Sequence, residues 1–151
     1  MIQRIQTLYL FLAAAALSTN IFLPFAKAKG DAASLQAMSG NFFADGVYWA
    51  KEHPAFYGVN LLFLGVLMAI FMFKNRPAQM KIAGSAALGI LMMCVLYGVL
   101  GYRNAEQLPA DSSAKLALGS AFPPVAMLLL MMAYRSIKKD EALVRSSDRL
   151  R

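Results

Sequence analysis

Long apolar stretches separated by short polar connections dominate this chain. Four of these stretches contain no Asp, Glu, Lys, Arg or His, and each is 18 to 21 residues long. An α-helix rises about 1.5 Å per residue, so about 20 residues cross a hydrocarbon core of about 30 Å. The pattern therefore predicts an all-α membrane protein with four transmembrane helices. The predicted spans are residues 8–25, 55–73, 82–102 and 116–134.

The composition indicates one membrane domain and no separate soluble one. Hydrophobic residues make up 59% of the chain and charged residues only 15%, whereas a soluble domain has about 25% charged residues. The longest connection, residues 26–54, is too short to build a core of its own. We therefore expect a single domain over residues 1–151, with a four-helix bundle at 5–134 and a polar tail at 135–151.

The basic residues are divided unequally between the two sides that four spans would create. One side, formed by the two termini and the connection 74–81, carries ten of the fifteen basic residues and three acidic ones. The other side carries five of each. Cytoplasmic segments of membrane proteins are enriched in Lys and Arg. The distribution therefore predicts a multi-pass protein of the bacterial inner membrane with both termini in the cytoplasm.

The first apolar stretch has some features of a cleavable signal peptide. A short basic start contains Arg4, and Ala26-Lys27-Ala28 fits the small-residue pattern of a cleavage site. The apolar character continues as far as Phe25, however, and signal peptides have a shorter apolar region of about 7–15 residues. We expect a retained first span; cleavage would leave three spans and an external amino terminus.

The long connection between the first two spans has two possible structures. Asp45-Gly46 lies between the apolar segments 41–44 and 47–50, which is a signal for a β-hairpin. A short helix lying on the membrane is the alternative, because the aromatic residues of this segment, such as Trp49, favour the boundary between water and lipid.

Several features of the spans indicate how the helices pack. Small residues recur four positions apart, as at Ser85 and Gly89, and such pairs let helix backbones approach closely in lipid. Pro123-Pro124 lies inside the fourth predicted span and predicts a kink there. Polar side chains within the spans are expected to form hydrogen bonds between helices. The candidates for these contacts are Asn60, Ser85, Tyr97 and Ser120.

Catalytic, cofactor-binding and metal-binding motifs are not found in the sequence. No span contains an ionisable group at depth, which a proton or ion route would need. Cys94 is the single cysteine and His53 the single histidine, and the chain has no nucleophile motif or glycine-rich phosphate loop. The sequence therefore predicts no catalytic, cofactor or metal residue, and an enzyme built around His53 is the least favoured of the functions considered.

The tail is the most patterned polar segment of the chain. It contains no Gly or Pro, and its opposite charges stand three or four residues apart, which favours a helix continuing from the fourth span. Mixed charge suits a membrane-protein partner, and anionic lipid headgroups are the alternative. Nucleic acid is not expected, because a concentrated basic stripe with aromatic residues is missing. The candidate contact residues are Arg4, Lys138, Lys139, Glu141, Arg145, Asp148, Arg149 and Arg151.

Both ends of the chain resemble a known family. The opening MIQRIQT and the ending IKKDEALVRSSDRLR are similar to those of a bacterial family of small four-span membrane proteins, described only as a domain of unknown function. The resemblance extends over essentially the whole chain. It implies that the first span is retained, and it suggests that the two cytoplasmic end motifs matter beyond charge. A contact of Gln3, Arg4 and Gln6 with the tail is a separate hypothesis. It brings no activity, cofactor or catalytic residue.

Two functions from different classes remain. The favoured one is a non-enzymatic accessory, assembly or scaffold subunit that presents its cytoplasmic ends to a partner, because the tail is patterned and the spans are chemically inert. The alternative is a carrier for a small molecule or lipid that uses the polar groups of spans two and three. A polar cavity leading from Asn60 to one membrane face would favour the carrier, and a sealed apolar core would favour the scaffold.

Overall fold

The computed structural model describes residues 3–31, 35–36, 43–49, 51 and 56–148. Among these residues, four α-helices and three short strands have both ends defined, and a 3-10 helix at Leu118–Ala121 leads into the last α-helix. The helices are α1 (Gln3–Phe22), α2 (Phe56–Phe71), α3 (Arg76–Glu106) and α4 (Phe122–Asp148). The strands are β1 (Ala26–Lys29), β2 (Val47–Tyr48) and β3 (Ser113–Leu116).

Three helical segments of the described chain are long and apolar enough to cross a membrane. They lie in α1, in α3 and in the stretch Leu118–Ser146, which includes most of α4. The remaining helix, α2, is also apolar but has only 16 residues, which corresponds to about 24 Å. Three of the four predicted spans therefore have the length of a membrane-crossing helix, and the second is shorter.

The helices pack around a core that is rich in alanine. Helix α1 contacts α2, α2 contacts α3, α3 contacts α4, and α4 returns to α1. Small buried side chains allow the backbones to approach closely, which provides van der Waals contact where no hydrophobic effect drives association. The alanines without exposed surface are Ala13, Ala69, Ala83, Ala126 and Ala133.

A three-stranded antiparallel sheet covers one end of the helices. The strand order is β2-β1-β3, with Ala26 of β1 opposite both Tyr48 of β2 and Leu116 of β3. Strand β1 follows α1, β2 precedes α2, and β3 lies between α3 and α4. Consecutive helices therefore run in opposite directions. We call this the sheet end, and the opposite end, with the start of α1, the 72–75 turn and the last turns of α4, the basic end.

The turn predicted at Asp45-Gly46 is present, and the strand that follows it belongs to the sheet. Gly46 has a φ of 71°, which favours glycine, and its N–H donates to the carbonyl oxygen of Phe43 at 2.8 Å. Strand β2 pairs with β1, and residues 41 and 42 of the predicted hairpin partner lie outside the described part of the chain. Residues 32–34, 37–42, 50 and 52–55, where a helix on the membrane was the alternative, lie outside the described part of the chain.

The two prolines predicted to kink the fourth span lie at the start of its α-helix. Helix α4 begins at Phe122, so Pro123 and Pro124 lie in its first turn, where a missing N–H costs no intrahelical hydrogen bond. The preceding 3-10 helix approaches the end of α1 closely. Gly119 donates its N–H to the carbonyl oxygen of Pro24 at 3.1 Å, and a Cβ atom at this position would overlap that oxygen.

Two helices extend well beyond the apolar stretches that predicted them. Helix α3 begins at Arg76, where the Asn75 side chain accepts a hydrogen bond from the Ala78 N–H at 3.2 Å and caps the helix. Helix α4 continues through the polar tail as far as Asp148, so the helix predicted there is confirmed. The length of the apolar stretch underestimates the length of both helices. A capping residue extends α3, and charge pairs extend α4, beyond their apolar parts.

Candidate functional site at the basic end

A buried hydrogen bond joins the first helix to the last at the basic end. The Nε2 amide of Gln6 donates to Oδ2 of Asp140, 134 positions later in the chain. Only 3% of Gln6 and 8% of Asp140 is exposed. A buried amide or carboxyl group without a partner costs free energy, so each side chain provides what the other needs. The contact fixes the start of α1 against the tail of α4.

A second buried hydrogen bond joins α2 to α3 at the same end. Gln79, in the first turn of α3, donates its Nε2 amide to the carbonyl oxygen of Ala69 at 3.0 Å. Ala69 lies in the last turn of α2, and its carbonyl oxygen also accepts the N–H of Met72 at 3.2 Å. Gln79 is 2% exposed. The short turn between α2 and α3 is thereby held against the end of α2.

Exposed charges lie on the part of α4 that extends past the apolar core. Lys138, Lys139 and Arg145 are exposed. The Nε of Arg145 lies 3.0 Å from Oε1 of Glu141, one helical turn earlier, and such an exposed pair supports the helix only weakly. Four of the eight predicted contact residues therefore project from α4 near its end. The side chains of Arg4, Asp148, Arg149 and Arg151 lie outside the described part of the chain.

A shallow cleft separates the turn after α2 from the tail of α4. It encloses about 490 Å³ and combines two cations and one carboxylate with apolar side chains. This composition suits a polypeptide segment that offers both an apolar side chain and a charge. The lining residues are Phe73, Lys74, Arg76, Pro77, Glu141 and Val144.

The polar residues predicted to join the spans have different surroundings. The hydroxyl of Ser85 donates to the carbonyl oxygen of Ile82 at 3.1 Å, and that of Ser120 donates to Ala117 at 2.7 Å. Each serine hydroxyl therefore donates to a carbonyl oxygen three residues earlier in the chain, and these two hydrogen bonds are local rather than interhelical. Asn60 is half-buried on α2.

Tyr97 joins α3 to the sheet through aromatic contacts. Its ring centroid lies 5.3 Å from that of Phe25 and 6.4 Å from that of Tyr48. Tyr48 also meets the ring of Phe43 edge-on at 5.9 Å. These separations are typical of stabilising aromatic pairs. Tyr97 therefore lies in a structural cluster at the sheet end, far along α3 from the basic end.

Two cavities lie beside α3 toward the sheet end. A cavity of about 10 Å³ lies near the sheet end, roughly the room that one water molecule needs. Its lining includes Leu17, Asn20 and Cys94 but not Asn60. A larger cavity of about 310 Å³ lies between α3 and the sheet, beside Tyr97, and Asn60 does not line it either.

Metal ligands do not cluster in the part of the chain that the structure describes. No group of three or more His, Cys, Asp and Glu side chains is close enough there to hold an ion. His53, the centre of the least favoured enzymatic hypothesis, lies outside the described residues.

Two residues of this site were not identified from the sequence, and one of them had a detectable signal. Asp140 continues the spacing of Leu130, Ala133 and Ile137, the buried face of α4, so helical periodicity places it against the core. Gln79 precedes the apolar stretch of its span and carries no such signal. Its role depends on the position of Ala69 in the neighbouring helix.

Three helical segments long and apolar enough to cross a membrane, with large apolar side chains exposed on their surfaces, indicate a membrane protein. A family model matches residues 2–150, which is nearly the whole chain. The protein belongs to this family, whose description is "Domain of unknown function (DUF4293)". No curated protein and no solved structure matches the chain. The resemblance noted in its two ends is therefore confirmed, and the family assigns no activity to any residue.

Proposed function

We propose that this chain is a non-enzymatic accessory, assembly or scaffold subunit of the bacterial inner membrane that presents its basic end to a membrane-protein partner. The observation that carries the proposal is the buried hydrogen bond between Gln6 and Asp140. It joins the two family-typical ends of the chain into one surface. A tail that served only to set topology would need no buried contact with the first helix.

The fixed geometry of this surface favours binding. Binding to a mobile tail is weakened by the conformational entropy that is lost when the tail becomes ordered. A preformed surface avoids most of that loss. The cations Lys139 and Arg145 are exposed on the helical tail, and the cleft of Phe73, Lys74 and Val144 lies beside it. The mixture of charge and apolar area is typical of a specific protein contact.

We further propose that all four helices span the membrane as a bundle. Helix α2 contacts both of its neighbours, and its lipid-side residues Leu61, Met68 and Phe71 are strongly exposed. A short helix can be accommodated by local thinning of the bilayer and by flanking cations that reach the headgroups. Lys74 and Arg76 follow α2 directly.

The charge distribution supports an orientation with both termini in the cytoplasm. The basic end carries the excess of Lys and Arg, and the sheet end carries equal numbers of basic and acidic residues. The partner surface is then cytoplasmic, and the sheet is on the opposite side.

The small size of the cavity enclosed between the helices favours a scaffold over a carrier. A carrier needs a site near the middle of the membrane with access to one face at a time. The interior cavity of about 10 Å³ holds no solute larger than water. Small-residue packing between rigid helices instead suits a structural subunit.

Purification from native membranes in a mild detergent, followed by mass spectrometry of co-purifying proteins, tests the proposal. The informative variant reverses two charges at the basic end, Lys139→Glu with Arg145→Glu. The matched control reverses two at the sheet end, Lys27→Glu with Lys115→Glu, which are cross-strand neighbours.

We expect a specific protein to co-purify with the wild-type chain and the control variant, and to be lost from the basic-end variant. The amount of each variant in the membrane is measured alongside, so that lower abundance is not mistaken for lost binding. An unchanged set of co-purifying proteins at equal abundance would refute partner docking at this end.

A further inference from the structure

A groove between α3 and α4 opens toward the surrounding lipid close to the basic end. It encloses about 340 Å³ and is separate from the cleft beside the α2–α3 turn. On α4 its residues are spaced three and four apart and therefore share one helical face. The lining residues are Gly84, Ala87, Met131, Tyr134, Arg135 and Lys138.

The groove exists because α3 has very small residues where it faces Tyr134. A Cβ atom on Gly84 would lie 3.4 Å from the edge of the Tyr134 ring, so the ring lies against bare backbone. Ala87, one turn further along, contributes only a methyl group. From Met131 to Lys138 the groove runs seven residues along α4, or about 10 Å.

Cations without acidic partners stand at the outer end of this groove. Arg135 and Lys138 are exposed, and Lys81 is exposed one turn before Gly84 on α3. In the described part of the chain the one ion pair joins Arg145 to Glu141. The other nearby carboxyl group, Asp140, is buried on a different face of α4 and accepts from Gln6.

We propose that this groove binds an anionic phospholipid, with its phosphate on Arg135 and Lys138 and an acyl chain along Met131 and Ala87. Positive charge at the membrane boundary and apolar lining toward the bilayer complement the two parts of such a lipid. Basic pockets between transmembrane helices are known to hold anionic headgroups. The proposal needs only the membrane placement of α3 and α4, so it stands or falls separately from partner docking.

Native mass spectrometry of the purified protein in a non-ionic detergent, titrated with phosphatidylglycerol or phosphatidylcholine, tests this site. The groove variant is Arg135→Gln with Lys138→Gln. The matched control, Lys74→Gln with Lys139→Gln, removes the same charge from exposed positions at the same end but outside the groove. A second groove variant, Gly84→Leu, fills the apolar part and keeps both cations.

We expect the wild-type protein to retain phosphatidylglycerol in preference to phosphatidylcholine. Loss of both cations should weaken phosphatidylglycerol binding about 30-fold, while the control binds like the wild type. Gly84→Leu should also weaken binding. If thermal unfolding shows that the double variant is not folded, the comparison of Gly84→Leu with the wild-type protein decides the test.

Three results would overturn the proposal. The first is equal loss of binding in the groove variant and its control, which would indicate general charge attraction. The second is equal retention of both lipids by the wild-type protein. The third is a stable oligomer that closes the groove with a second chain and retains no lipid.

Discussion

The side-chain amide of Gln79 donates to the backbone carbonyl of Ala69, so the first turn of α3 completes the last turn of α2. Replacing Gln79 with leucine removes the side-chain amide, and the carbonyl oxygen of Ala69 then loses this hydrogen bond. We expect a loss of about 1 kcal/mol in the free energy of unfolding, in the range found for hydrogen bonds within membranes. Denaturant unfolding in micelles measures it. Gln36→Leu, at an exposed position, is the control and should change stability much less.

The contact between Gln6 and Asp140 predicts strong coupling between two distant positions. Gln6→Leu or Asp140→Leu alone leaves a buried polar group without its partner, and each should destabilise the protein by about 1–3 kcal/mol. The double variant removes both groups and should lose less than the sum of the two. Asp140→Asn keeps an acceptor oxygen and should be milder than Asp140→Leu. Additive losses in this double-mutant cycle would show that the two side chains do not interact.

The helices could be located from the sequence because lipid imposes a strong and local rule on composition. A long stretch without charge is sufficient to find α1, α3 and the lipid-facing part of α4. The ends were harder to predict, because Asn75 extends α3 by capping it and charge pairs such as Glu141 with Arg145 extend α4. These contacts depend on individual side chains rather than on average hydropathy.

The sheet and the buried polar contacts could not be predicted in the same way. Strand β1 alternates alanine and lysine over four residues, which is too short a pattern to identify a strand among loop residues. Its partner β3 lies beyond two helices in the chain, so no local feature specifies the pairing. The same is true of Gln6 and Asp140, whose contact depends on how α1 and α4 pack.

The close approach of Gly119 to the end of α1 predicts opposite effects for two glycine substitutions. A methyl group on Gly119 would overlap the carbonyl oxygen of Pro24, and backbone atoms cannot move aside as a flexible side chain can. Gly119→Ala should therefore cost about 1–3 kcal/mol. Gly98→Ala is the matched control, because nothing lies within 4 Å of that position, and it should be neutral or stabilising by up to about 1 kcal/mol. Equal effects on thermal unfolding would contradict this account.

The register of β1 against β3 predicts which cysteine pairs form a disulfide. Ala28 and Ala114 are directly opposite each other, so the Ala28→Cys, Ala114→Cys variant should cross-link on mild oxidation. Ala28→Cys with Lys115→Cys should not, because neighbouring residues of a strand point to opposite faces. Both pairs are made in a Cys94→Ala background. Mobility on a non-reducing gel reports the link, and cross-linking of the second pair alone would mean a different register.

The proposed orientation predicts opposite exposure of the two ends to the outside of the cell. In a Cys94→Ala background, Lys27→Cys at the sheet end should react with a membrane-impermeant thiol reagent added to intact spheroplasts. Lys139→Cys at the basic end should react only after permeabilisation. Labelling of Lys139→Cys in sealed spheroplasts would contradict a cytoplasmic basic end.

The sheet also constrains the order in which the protein can be completed. Strand β1 has four residues in register with β3 and only two with β2. Because β3 follows α3 in the chain, most of the ladder cannot form until the third helix has been synthesised and placed. Until then the backbone N–H and C=O groups of β1 that later pair with β3 must form hydrogen bonds with water. Closing the sheet is therefore a step that can follow only after α3 is in place, and it joins the first three helices at this end before α4 completes the bundle.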